Sequence, residues 1–84
     1  MVRELSLAEM PSGQKGKIKE IRGGTGMVRK LDALGIRPGK EVVKVSAQWM
    51  RGPVLLRNGV TEVAIGFGMA RHIMVELPEQ GGID

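Results

Sequence analysis

Apolar and polar positions alternate or cluster along this chain with several distinct periods, and each period predicts an element. From Lys15 to Ile21 three lysines (Lys15, Lys17, Lys19) fall on one side of a two-residue repeat and Ile18 on the other, which predicts a strand. Ile21 is out of step with Ile18, so a bulge is expected near Glu20. From Gly26 to Leu34 the repeat becomes helical: Met27, Val28, Leu31 and Leu34 share one arc, with Arg29 and Ala33 opposite and Lys30 and Asp32 on the flanks. Thr25 is read as the helix N-cap and Gly35 as the left-handed residue that closes it. Pro38 blocks continuation, and Gly39 allows the turn into the next strand.

The second half of the chain reads as β-structure. Between Glu41 and Gln48, Val43, Val45 and Ala47 take one face and Val42, Lys44, Ser46 and Gln48 the other. A strand over Pro53 to Arg57 meets the Asn58-Gly59 hairpin signal, and Val60 to Ile65 returns from it. Gly66 to Ala70 is a turn with at most one helical turn, and His72 to Leu77 is a final strand stopped by Pro78. At the start, Ser6 and Glu9 have capping-box spacing, which predicts a short helical turn cut off by Pro11 and Gly13. The expected fold is mostly β: a small, closed or nearly closed SH3-like barrel of five to six strands. One short helix is expected after the first strand.

Composition narrows the chemistry. With 84 residues the chain is a single domain, its core at about 5–77 and a flexible tail at 78–84. There is no cysteine, hence no disulfide or thiolate site. No apolar leader follows the start, and the longest uncharged apolar run, Val63 to Ala70, is far short of the ~20 residues that span a bilayer. Direct membrane insertion is not expected. One histidine, His72, offers no base–nucleophile arrangement and no ligand cluster, so neither enzymatic activity nor a required cofactor is expected. His72 is the one weak metal-ligand candidate, and association with Fe(II) or another divalent ion would need ligands from elsewhere. Net charge is +4, and residues 15–44 alone carry nine basic against three acidic side chains. A stretch of that kind suits an acidic partner, an anionic surface or nucleic acid, and equally a solvated face.

The run Arg29, Lys30, Leu31, Asp32, Ala33, Leu34, Gly35, Ile36, Arg37, Pro38, Gly39 resembles the signature of the FeoA family. Further landmarks follow in order: Leu7 and Gly13, Ile18 and Ile21, Gly52-Pro53-Val54, Val63-Ala64-Ile65, Ala70, and Ile73-Met74-Val75. Gly66-Phe67-Gly68 departs from it, where the family often carries basic residues. The resemblance implies a small cytoplasmic accessory of bacterial Fe(II) uptake, peripheral to the membrane through contact with the cytosolic region of a FeoB-type transporter. Candidate partner-binding residues are Arg29, Lys30, Asp32, Trp49, Met50 and Arg51. Leu31, Leu34, Gly35, Pro38, Gly39, Asn58 and Gly59 are expected to be structural, with Leu31 and Leu34 filling the core. Two alternatives stand beside it: a basic barrel associated with nucleic acid or the ribosome, and a metal-bridged, self-associating scaffold. Nucleic acid is not the expected partner, whereas homo-oligomers are compatible with the sequence.

Overall fold

A computed structural model describes residues 3–47 and 52–78. Trp49, Met50 and Arg51 therefore lie outside the described residues, as does most of the expected tail. The elements are β1 (Arg3–Ser6), β2 (Lys15–Ile21), α1 (Thr25–Ala33), β3 (Glu41–Ala47), β4 (Val54–Asn58), β5 (Thr61–Ile65), α2 (Phe67–Ala70) and β6 (Ile73–Leu77). All pairings are antiparallel, in one six-stranded sheet of order β1-β6-β2-β3-β4-β5. The sheet is barrel-like but does not close: β1 and β5 are its two edges. The helix follows the second strand, not the first, because Arg3–Ser6 pairs with β6. Two charged residues in a four-residue strand leave too little alternation to mark it.

The alternation in β2 is realised, with Lys15, Lys17 and Lys19 exposed and Ile18 buried. The register slips between Ile18 and Glu20, placing a bulge at the expected point. β6 supplies the centre of the core: Ile73, Val75 and Leu77 all point inward, beside Ile18, Leu56 and Leu31.

β3 buries the less apolar of its two faces. Val43 and Val45 are only half-buried, whereas Val42 and Lys44 are enclosed, Lys44 being 3 % exposed. A register shift between Lys44 and Ser46 accompanies this. The lysine ammonium donates to the carbonyls of Leu7 (3.1 Å), Ala8 (3.1 Å) and Met10 (2.5 Å). Its three N–H groups therefore meet three acceptors, which is what a buried cation requires. Its main chain is tied to the same region: the Gly13 N–H donates to Lys44 O (2.6 Å), and the Lys44 N–H donates to Gln14 O (3.0 Å).

The capping box forms as expected. The Ser6 N–H donates to Glu9 Oε1 (3.0 Å), and the Glu9 N–H donates to Ser6 Oγ (3.2 Å). Ser6→Ala should cost about 1 kcal/mol of stability, the usual value of a lost N-cap, measurable by urea unfolding.

The hairpin lies one residue later than the Asn58-Gly59 signal suggests. Asn58 pairs with Thr61, so the two-residue turn is Gly59-Val60, with Gly59 at φ +67°. The Asn58 side chain instead leaves the hairpin, and its Nδ2 donates to Gly35 O (3.1 Å).

Candidate partner-binding site

Helix α1 starts without side-chain help. Its N-cap is Gly24, no side chain bonds the first turn, and Thr25 is the first helical residue rather than the cap. The C-terminal end is built as expected. Gly35 takes φ +83°, its N–H donates to Asp32 O (2.9 Å), and the Ile36 N–H donates to Leu31 O (2.9 Å). This is a Schellman closure, with Leu31 and Ile36 both fully buried.

Only the middle of the apolar arc is enclosed. Leu31 is 0 % exposed, but Val28 is 38 % and Leu34 40 % exposed. The expectation that Leu34 fills the core is not met, and the angular arithmetic says why. At 100° per residue Val28 and Leu34 stand ~60° to either side of Leu31, on the margins of the seam. Of the two cations, Lys30 stands ~40° outside Leu34, and Arg29 lies ~100° beyond Val28, towards the face opposite Leu31. Both are exposed, and neither forms an ion pair among the described residues. Asp32 is exposed too, but Arg37 Nε lies 3.0 Å from its Oδ1. So solvated a pair contributes little stability, and it leaves Asp32 less available than its neighbours. The exposed margins could not be separated from core by periodicity alone, because the arc itself is continuous.

Much of the basic excess of residues 15–44 is consumed locally. Lys44 is buried. Lys19 bonds Glu4 and lies 3.4 Å from Glu76, bridging two carboxylates that stand opposite each other on β1 and β6. The hydrogen bond from Lys19 holds the Glu4 carboxyl below its ordinary range, and Glu4 raises the lysine in return. Arg22 bonds Glu20, which raises the guanidinium pKa further. Outside that stretch, Arg57 pairs with Glu62 at 2.9 Å.

Other chemistry is weakly provided for. His72 sits in the turn before β6, half-buried, its main chain bonded to Met69 and Arg22. Among the described residues no three His, Cys, Asp or Glu side chains gather as a metal site would require. A hollow of about 190 Å³ is lined by Lys15, Lys17, Glu41, Glu76, Leu77 and Pro78 along β2. Lys17 stands between Glu41 and Glu76 on the neighbouring strands, so the charges there answer one another. The volume is below the ~300 Å³ of an ordinary small-molecule site. Among the described residues no helix is long and apolar enough to cross a membrane.

The comparisons with known proteins agree with one another. The FeoA domain family model matches residues 5–77. The "Putative Fe(2+) transport protein A" of Methanocaldococcus jannaschii is 36% identical over 76 residues, 90% of each chain. The crystal structure of an iron uptake regulatory protein, FeoA, superposes with a TM-score of 0.80 at 33% identity, over 89% of this chain and 99% of that one. The zinc complex of Stenotrophomonas maltophilia FeoA, described as a prokaryotic SH3 domain protein, gives a TM-score of 0.71 at 24% identity, over 84% and 88% of the two chains.

Proposed function

The chain belongs to the FeoA family and has its SH3-like fold, and from that premise we propose that it serves ferrous-iron transport as a non-catalytic, cytoplasmic accessory. It acts by docking α1 on the cytosolic region of a FeoB-type transporter. The observation that carries this reading lies on α1, where exposed Leu34 stands beside Lys30, exposed Val28 is followed ~100° round the helix by Arg29, and neither cation forms an ion pair among the described residues. Apolar anchors ringed by charge suit a protein partner with an acidic rim, since the apolar area supplies affinity and the charges set orientation and encounter rate. Iron is the cargo of the partner in this reading, not a ligand of this chain.

Titration of the full chain against the soluble cytosolic region of the transporter, with and without nucleotide, tests it. Binding should be salt-sensitive, and the double substitution Arg29→Glu, Lys30→Glu should weaken it about tenfold or more. Absence of binding at tens of micromolar in both nucleotide conditions, or binding untouched by the charge reversal, would rule out docking through α1.

A further inference from the structure

The two edges of the sheet are not alike. β1 has four residues, of which Arg3 and Glu4 are charged, and its last N–H, that of Ser6, is already committed to Glu9. Short length, charge and an occupied donor all blunt an edge against further pairing. β5 is less guarded. It runs Thr61, Glu62, Val63, Ala64, Ile65, with no lysine and no proline, and its one charge, Glu62, forms an exposed ion pair with Arg57 on the neighbouring strand. No strand among the described residues pairs with its outer side.

The register says which groups are left open. In a two-residue hairpin the flanking pair exchanges both of its hydrogen bonds, so Thr61, Val63 and Ile65 bond β4. The N–H and C=O groups of Glu62 and Ala64 therefore face outward. The two side chains of β5 that meet the core, Val63 and Ile65, are both β-branched, and Val63 is only half-buried. Val60, in the adjoining turn, is 103 % exposed, the extreme among the large apolar side chains of the described residues.

We propose that β5 pairs antiparallel with β5 of a second copy of this chain, across a two-fold axis at Val63. Glu62 then faces Ala64 of the second copy, Val63 faces Val63, and Thr61 faces Ile65. This register matches the outward groups, since Glu62 and Ala64 are the residues free to exchange bonds and they meet each other. It also keeps like charges apart. Centring the pair on Glu62 would oppose two carboxylates, which is destabilising in a cross-strand pair. Continued by one residue, the register sets the exposed Val60 opposite Gly66 of the second copy. That position carries no side chain, and even a Cβ there would meet nothing within 4 Å. The two six-stranded sheets join through their less guarded edges, leaving the two β1 edges outermost, and α1 takes no part in the pairing.

Sedimentation of the full chain from micromolar to millimolar concentration tests this, with two substitutions at one exposed position. The wild-type chain should move from the 9.1 kDa monomer towards twice that mass as concentration rises. Ala64→Glu places a carboxylate opposite Glu62 of the other copy, twice per dimer, and should raise the dissociation constant about fivefold or more. Ala64→Lys places an ammonium there and should lower it by a similar factor. A folding defect cannot produce shifts of opposite sign. A monomer across the whole range, or two variants that shift in the same direction, overturns the proposal.

Discussion

Lys44→Met should lower the unfolding free energy by about 3 kcal/mol, which is large for a domain this size, whose total is on the order of 4–13 kcal/mol. Methionine keeps the length of the side chain and removes the cation. The carbonyls of Leu7, Ala8 and Met10 then lose their shared donor, in a place where water is excluded from two of the three. Each carbonyl left unpaired in such a site costs roughly 1–3 kcal/mol. Relief from burying an ammonium offsets part of that sum, as replacements of buried charges elsewhere show. The midpoint of thermal unfolding should fall by about 10–20 °C.

The same residue predicts a pH dependence with a definite sign. Burial pushes the Lys44 ammonium below its ordinary pKa of 10.5. Between the folded and the unfolded value the unfolded chain binds more protons than the fold, so the contribution of Lys44 to stability rises with pH through that window and levels off above 10.5. Below the folded value it is constant. The gap in stability between wild type and Lys44→Met should therefore widen from neutral pH towards pH ~10, where the ordinary lysine begins to titrate. Paired urea titrations at the two pH values measure it. A gap that stays constant or narrows would mean that the three carbonyls, and not burial, govern the proton.

The second large effect is expected at Gly35→Ala, at about 2 kcal/mol. Two costs coincide there. A φ of +83° costs an L-residue roughly 1 kcal/mol or more. The added Cβ would also lie 2.7 Å from Asn58 Nδ2, the atom that donates to Gly35 O. The amide must move, and its hydrogen bond, about 1 kcal/mol in such settings, goes with it. The two terms can be separated. In an Asn58→Ala background the steric part vanishes, so Gly35→Ala should cost about 1 kcal/mol less than it does alone, a coupling that a double-mutant cycle reads directly. Additive costs would show that the Asn58 contact contributes nothing.

These two sites also show what the sequence makes legible. Local devices are readable because their partners are three to five residues apart: the Ser6–Glu9 box, the bulge before Glu20, the Schellman closure at Gly35. The hairpin is readable to within one residue, since Asn58-Gly59 marks a tight turn without fixing which residues form its tip. Lys44 is not readable in this way. A two-residue repeat has two faces, and in β3 both are mixed; the inward one is chosen by carbonyls 34–37 residues earlier in the chain. Asn58 carries a local signal that conceals a distant one, its bond to the helix end. At the candidate site, Arg29 and Lys30 are legible as exposed cations opposite or beside an apolar arc. The exposure of Val28 and Leu34 depends on how deeply the helix sits on the sheet, which no helical period specifies.

The strand order carries a consequence for how the chain acquires its structure. β6 lies between β1 and β2, which do not touch as neighbours. During synthesis β2, β3, β4 and β5 can zip together in the order in which they appear, each onto its predecessor. β1 has no place to go until Ile73–Leu77 has been made, because among the described residues β6 is its one pairing partner. The N-terminal strand therefore waits for the C-terminal one, and the closing contact is among the longest-range in the chain. Such contacts are formed late and slow the overall reaction. While the nascent chain waits, Ile18 and Leu7 lack the cover that Ile73, Val75 and Leu77 give them in the fold, and exposed apolar surface of that kind is what makes an incomplete chain prone to aggregate.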